Sequence, residues 1–219
     1  EAKIIQPTHH NKAVLQQFSN NKQQSNFITY LLKVFETQKV LKTINRYNIG
    51  TTNYWYGATI FWQINSENVI RGGKIMLYNS NTGSRIKEPF NHVSWMHKQL
   101  KLNNFVLQQC LFGLHLINTI AKSDTICIVE SEKTAIIMSI VIPNFLWLAT
   151  GSKTAFKEEM LTPIKEYKII AYSDKTAFKN WTKTSNLLNK QGYKIECSSL
   201  LENINIEDGS DLVDFLFKF

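Results

Sequence analysis

From Ser123 onward the sequence alternates short apolar runs with amphipathic stretches, and no other feature restricts the fold as tightly. Residues 125–129 (Thr-Ile-Cys-Ile-Val) read as a strand, 132–142 as a helix, 145–149 as a strand and 156–167 as a helix. The pattern then repeats with a strand at 168–172, a helix at 178–191 and a strand at 193–197. Parallel strands cannot be joined by hairpins and need crossover connections, so this rhythm implies a parallel sheet with helices on both faces. The expected class for residues 123–219 is an α/β domain.

The preceding part has a different rhythm. Phe27, Tyr30, Leu31, Val34 and Phe35 recur at helical steps within 26–46. Residues 59–64, 69–70 and 74–78 read as antiparallel strands separated by turns at 65–68 and 79–83, and 93–101 and 107–120 as helices. Residues 26–122 therefore form an expected α+β subdomain. Residues 1–25, with His9, His10 and an Asn/Gln-rich stretch at 19–24, read as a polar arm or linker.

With 219 residues, 43% of them hydrophobic and 19% charged, the chain can bury a core without disulfides. Its three cysteines, Cys110, Cys127 and Cys197, lack any CxxC spacing, which argues against a disulfide framework or a cysteine-based zinc site and for buried thiols. The longest apolar stretch, 135–149, is interrupted by Ser139, Pro143 and Asn144, and the N-terminal residues lack a signal-peptide pattern, so no membrane association and a cytoplasmic location are expected. Charge is unevenly divided. Residues 1–122 carry 14 Lys and Arg against 4 Asp and Glu, a net +10, whereas residues 123–219 carry 11 against 13, a net −2. A basic half invites a polyanion, and an acid-leaning half can hold clustered carboxylates that accept the same ligand only with a cation between. An ordinary solvated lysine-rich surface is the competing reading.

In a parallel sheet, ligands bind beyond the carboxyl ends of the strands. Glu130 follows the first strand directly, and Asp174 follows the third with one residue between. If those strands are neighbours their ends lie about 5 Å apart, or about 10 Å if one strand intervenes, and two carboxylates there suit a hard divalent cation that takes oxygen ligands. Each acid could equally cap the helix that follows it. Asp211, beside the Gly209-Ser210 turn, is either a helix cap or a third carboxylate.

The segment Ile128-Val-Glu-Ser-Glu-Lys-Thr-Ala135, together with the strand-end Asp174, resembles the Toprim domain of primases, topoisomerases and related nucleases. The resemblance extends to bacterial-type primases through Phe61-Trp-Gln-Ile64, Val69-Ile70 and Gly72-Gly-Lys74, which are similar to the basic subdomain preceding a primase Toprim domain. Leu111-Phe-Gly-Leu114 resembles the segment before its first strand, and Gly209-Ser-Asp211 its late acidic motif. Over residues 45–219 the sequence is most similar to Toprim-like proteins often carried on bacterial mobile elements, through patterns at 73–78, 82–87, 95–97, 109–116, 129–135 and 147–151. Members can carry a zinc-binding segment further toward the N-terminus, and a chain beginning at Glu1 without one is expected to be truncated.

The resemblance implies that Glu130, Asp174 and Asp211 hold Mg²⁺ (or Mn²⁺) as catalytic and metal-binding carboxylates. It also implies that Arg71, Lys74, Arg85, Lys87 and Lys133 bind phosphates or nucleic acid, beside a cleft for a single strand. The family's Asp-x-Asp reads Asp174-Lys175-Thr176 here, so the second acid is a hydroxyl and the middle residue a cation expected to weaken metal binding. The implied function is primase-like, Mg-dependent nucleotidyl transfer on single-stranded DNA, with nucleoside triphosphates as substrates and a helicase as partner. The alternatives are a catalytically degenerate binding module and a Toprim nuclease.

Among the remaining residues, the aromatic run Tyr54-Trp55-Tyr56 with Phe61-Trp62 could stack bases or fill a core, with the alternation at Phe61 and Gln63 favouring the core for part of it. His92, His97 and His115 match no zinc spacing and read as structural, and Ser131 lacks the glycines of a nucleophile elbow.

Overall fold

Gly50–Thr52 (β1), Ala58–Ile64 (β2), Ile70–Met76 (β3) and Val93–Trp95 (β4) pair antiparallel in the order β1-β2-β3-β4. All seven residues of β2 are buried, because both faces of this sheet are covered. On one face Ile60, Trp62 and Ile64 join Ile70, Ile75 and Met96, with Val14, Leu15 and Phe18 of helix α1 (Lys12–Ser19) packed against them. On the other, the Phe61 ring lies 5.9 Å from Phe27 of helix α2 (Asn26–Val34) and 6.1 Å from Tyr78. Phe61 and Trp62 are therefore core, each contributing about 2–3 kcal/mol by burial, while Tyr54 and Tyr56 are exposed.

The computed structural model describes residues 6–19 and 25–218, so residues 1–5 and 20–24 of the expected arm lie outside the described residues. Its remaining part is docked on the sheet: the His10 N–H donates to the Ile70 carbonyl at 2.9 Å, and the Thr8 N–H to the Val106 carbonyl at 3.0 Å. His10 stacks on Phe105, and burial, followed by the neighbouring His97 and His9, pushes its pKa down to about 4.

Three helical expectations are refined. The stretch 26–46 is two helices, α2 and α3 (Thr37–Arg46), because Phe35 is extended at φ −122° and ψ 161°. The stretch 93–101 opens as β4 and continues as the single turn α4 (Met96–Gln99). In 107–120 only Leu114–Thr119 coils, as a 3₁₀ turn entered through left-handed Gly113 at φ 84°.

The chain divides into two compact units, residues 1–110 and 111–219. In the second unit Thr125–Val129 (β5), Leu146–Ala149 (β6), Lys168–Tyr172 (β7) and Lys194–Cys197 (β8) form the expected parallel sheet, in the order β6-β5-β7-β8. Glu132–Val141 (α5) joins β5 to β6, and Phe178–Asn189 (α7) joins β7 to β8. These connections run in opposite directions from the adjacent strands β5 and β7, so right-handed crossovers place α5 and α7 on opposite faces. The expected helix at 156–167 is only the turn Glu158–Leu161 (α6) and a 3₁₀ turn at Thr162–Ile164, where Pro163 has no N–H to continue the ladder. Phe156 of this connection stacks on Trp181 of α7 at 4.1 Å. Leu212–Lys218 (α8) closes the unit and packs with α5. Among the described residues no helix is long and apolar enough to cross a membrane.

The glycine pair on β3 has a steric cause. A Cβ on Gly73 would lie 2.6 Å from Met96 Cγ and 2.8 Å from the Trp62 ring. Gly73→Ala is expected to cost about 1–3 kcal/mol through overpacking and to lower Tm by roughly 3–10 °C, read by thermal denaturation. An unchanged Tm would show that this core face has slack.

Candidate functional site

The opposite crossovers from β5 and β7 make the carboxyl ends of this strand pair the topological switch point, the place at which α/β sheets bind ligands. Val129 stands in register with Tyr172, so Glu130 and Asp174 emerge side by side at that place. Both are half-buried, and their carboxyl groups share a hydrogen bond. Two carboxylates hydrogen-bond only when one of them carries a proton. Burial first, then the charges of Glu130, Asp211 and Asp214, then the bond to Glu130, push the Asp174 pKa up to about 8. The direction favours retention of a proton by Asp174 to higher pH than an ordinary carboxyl.

Asp211 is drawn to this place by a chain of hydroxyls. Ser131 caps α5 by accepting the Thr134 N–H at 3.1 Å, and its hydroxyl lies 2.7 Å from that of Thr134. The Thr134 hydroxyl donates to Asp211 Oδ2, so Ser131 donates in turn to Thr134. Asp211 Oδ1 accepts the N–H groups of Val213 and Asp214 at 2.8 and 3.0 Å, and Asp214 Oδ2 accepts the Asp211 N–H at 2.9 Å, a reciprocal cap on α8. Asp211 is thus a helix cap whose charge also acts on Asp174. Ser131 is the cap of α5, and Glu130 precedes it at the rim.

The Asp174-Lys175-Thr176 segment is resolved in detail. Lys175 does not stand unengaged beside a cation place: its ammonium donates to the Ile204 and Ile206 carbonyls at 3.1 and 2.7 Å, and its N–H to the Ser210 carbonyl at 3.0 Å. It ties the segment that leads to Asp211 against the end of β7. Thr176, exposed, accepts from Lys153 Nζ through its carbonyl at 3.3 Å and its hydroxyl at 3.4 Å. Lys153 arrives from the loop after β6, held by the Trp181 indole N–H on its carbonyl at 3.2 Å. Neither Thr134 nor Lys153 was found from the sequence; the Ser131-to-Thr134 spacing was a usable cap signal, whereas nothing local marks Lys153.

The other expected phosphate contacts are distributed. Lys133 lies in the first turn of α5, three residues after Glu130. Arg71 and Lys74 lie on β3, and Arg85 and Lys87 are exposed on the segment before β4; all four belong to the first unit. The Arg71 charge acts on Cys110, whose thiol is nonetheless pushed up to about 12 by burial, as is Cys127. Burial therefore disfavours the thiolate form of both.

The donor set of Glu130 and Asp174 is two hard oxygens with a surplus of negative charge, which suits Mg²⁺ or Mn²⁺ completed by waters and a phosphate. Among the described residues no three His, Cys, Asp or Glu side chains form a ready-made metal cage. The fit is therefore to a pair, with Asp211 engaged in capping.

The fold places the chain among proteins shaped like primase catalytic cores. It superposes on the RNA polymerase domain of Mycobacterium tuberculosis primase DnaG with a TM-score of 0.60, at 13% identity over 95% of this chain and 77% of that one. It superposes on the E. coli primase catalytic core at 0.58, with 14% identity over 94% and 74%, and on the DnaG primase catalytic domain bound to ssDNA at 0.56, with 14% identity over 94% and 74%. Residues 25–175 match the family described as Domain of unknown function (DUF6371), and the chain belongs to that family. No curated protein sequence matches it.

The raised Asp174 pKa has a defined sign. Between the ordinary carboxylate value of 3.8 and about 8 the folded state binds more protons at this group than the unfolded state, so stability falls as pH rises. His10 acts oppositely, but only below its ordinary value of 6.5. From pH 6.5 to 8 the melting temperature of the intact chain should fall, and Asp174→Asn should flatten that slope. A slope unaffected by Asp174→Asn would show that the pair does not hold the proton.

Proposed function

We propose that this chain is a Toprim-class, primase-like protein that binds single-stranded DNA and joins nucleoside triphosphates on it in a Mg²⁺- or Mn²⁺-dependent nucleotidyl transfer. The observation that carries this reading is the convergence of Glu130 and Asp174 at the carboxyl ends of the adjacent strands β5 and β7, with Asp211 and Asp214 adding negative charge. Such a pair attracts a divalent cation, because binding one would displace a proton retained there and relieve the repulsion.

Glu130 and Asp174 would hold the metal. When bound, it would neutralise triphosphate charge and favour ionisation of the attacking 3′-hydroxyl. The chain's own residues do the rest. Thr134 and Ser131 fix Asp211, and Lys175 fixes the segment carrying it, so the negative field at Asp174 is set before any ligand arrives. Lys133, in the first turn of α5, and Lys153, after β6, supply positive charge for phosphates. Arg71, Lys74, Arg85 and Lys87 belong to a unit with 13 Lys and Arg against 4 Asp and Glu, suited to phosphate neutralisation. A neighbour of this fold solved with ssDNA supports the choice of template. In this reading the protein works in the cytoplasm, beside a helicase that supplies the single strand.

A second reading is favoured by Thr176. Where the resemblance calls for an acid, a hydroxyl accepts from an ammonium, which suits a binding module that has lost the chemistry. Incubation with labelled single strands, all four NTPs and Mg²⁺ separates the readings. Nucleotidyl transfer predicts NTP-dependent extension that falls about 10²-fold or more in Glu130→Gln with strand binding retained. Binding without extension would support the module, and metal-dependent shortening would support a nuclease.

A further inference from the structure

Three of the four exposed aromatic side chains among the described residues, Tyr54, Tyr56 and Phe90, lie in two segments of the first unit, while the fourth, Phe217, lies in the second. Their placement is not that of stray surface rings. Tyr54 packs edge-on against Trp55 at 4.8 Å, Trp55 meets His92 edge-on at 5.0 Å, and His92 stacks on Phe90 at 4.3 Å. The inner pair is braced. Trp55 packs against the core of Ile60, Trp62 and Met96, and buried His92 places Nδ1 3.3 Å from the Ile86 carbonyl. The outer rings, Tyr54 and Phe90, keep 45% and 53% of their surface open. Tyr56, two residues on from Tyr54, is 82% exposed.

The charge around this surface is of one prevailing sign. Arg85 and Lys87 flank Ile86, the residue that bonds His92, and both are exposed. Among the described residues no carboxylate pairs with either, although Glu88 follows Lys87 in the chain. Preorganised aromatic faces beside uncommitted cations suit a polyanion whose bases are unstacked and available. A duplex hides its base faces, and an apolar protein partner has no use for the cations.

We propose that Tyr54, Trp55, Phe90 and His92 form a base-stacking platform for single-stranded nucleic acid, with Arg85 and Lys87 gripping the adjoining phosphates. This rests on the nucleic-acid reading above and adds a base-contacting site that uses none of the carboxylate residues. Stacking accepts any base, so the platform holds a strand without reading its sequence.

The test is fluorescence anisotropy on the full chain with oligo-deoxythymidine of about 12 nucleotides, an abasic strand of the same length and a duplex. Tyr54→Ala and Phe90→Ala should each weaken oligo-deoxythymidine binding by about tenfold, leave abasic binding unchanged and leave the salt dependence unchanged. Arg85→Ala and Lys87→Ala should weaken both strands and flatten the salt dependence. If a ring variant fails to fold, quenching of Trp55 in the wild type serves instead: it should accompany oligo-deoxythymidine, not the abasic strand, and vanish in Trp55→Phe. Strand binding indifferent to ring removal, or preference for duplex, would overturn the platform while leaving the wider reading standing. No strand binding by the wild type at low salt would overturn both.

Discussion

Converging acids define the second unit's candidate site. Placing Glu130 and Asp174 at the ends of adjacent strands, with Asp211 and Asp214 adding their charge, concentrates negative charge in a half-buried place, and burial with that charge pushes the Asp174 pKa up. The surroundings do not relieve that concentration of charge; they maintain it. The hydroxyls of Ser131 and Thr134 and the cap on α8 orient Asp211, and the Lys175 ammonium is used on two carbonyls. Such an arrangement costs the fold stability as pH rises towards neutrality, because the folded state raises the Asp174 pKa.

Which parts of this were readable in advance follows from the range of the interactions. The four strands of the α/β unit were legible as local apolar runs, and Glu130 and Asp174 as acids placed just beyond two of them. Their adjacency was not, since it depends on the order β6-β5-β7-β8, which no local pattern encodes. Asp211 could be read two ways because a carboxylate has two oxygens, and only the fold shows one spent on its own helix and the other on Thr134. Lys175 read as a charge opposing a cation, yet its reach to Ile204 and Ile206 depends on a loop some thirty residues away in the sequence. Helix extent failed where the backbone turns extended within a periodic stretch, as at Phe35, or where a single residue ended the ladder, as at Pro163.

The same distinction separates the two roles of the aromatic run. Phe61 and Trp62 lie within a strand covered on both faces, whereas Tyr54 and Tyr56 lie in the connection leading into it and stay open to solvent. Composition alone could not divide them. Fold likeness to primase cores, at identities of 13–14%, fixes the arrangement of the elements and leaves the chemistry to the residues. Here those residues are distributed over both units: Arg71, Lys74, Arg85, Lys87 and three of the four open rings lie in the first, and Glu130, Asp174, Lys133 and Lys153 in the second.

Calorimetric titration of the full chain with Mg²⁺ near pH 7, in buffers of different ionisation enthalpy, reads the central claim most directly. The account predicts binding accompanied by proton release, with the release abolished in Asp174→Asn and the affinity reduced in Glu130→Gln. Absence of binding, or binding with no proton exchanged and no response to either substitution, would contradict it.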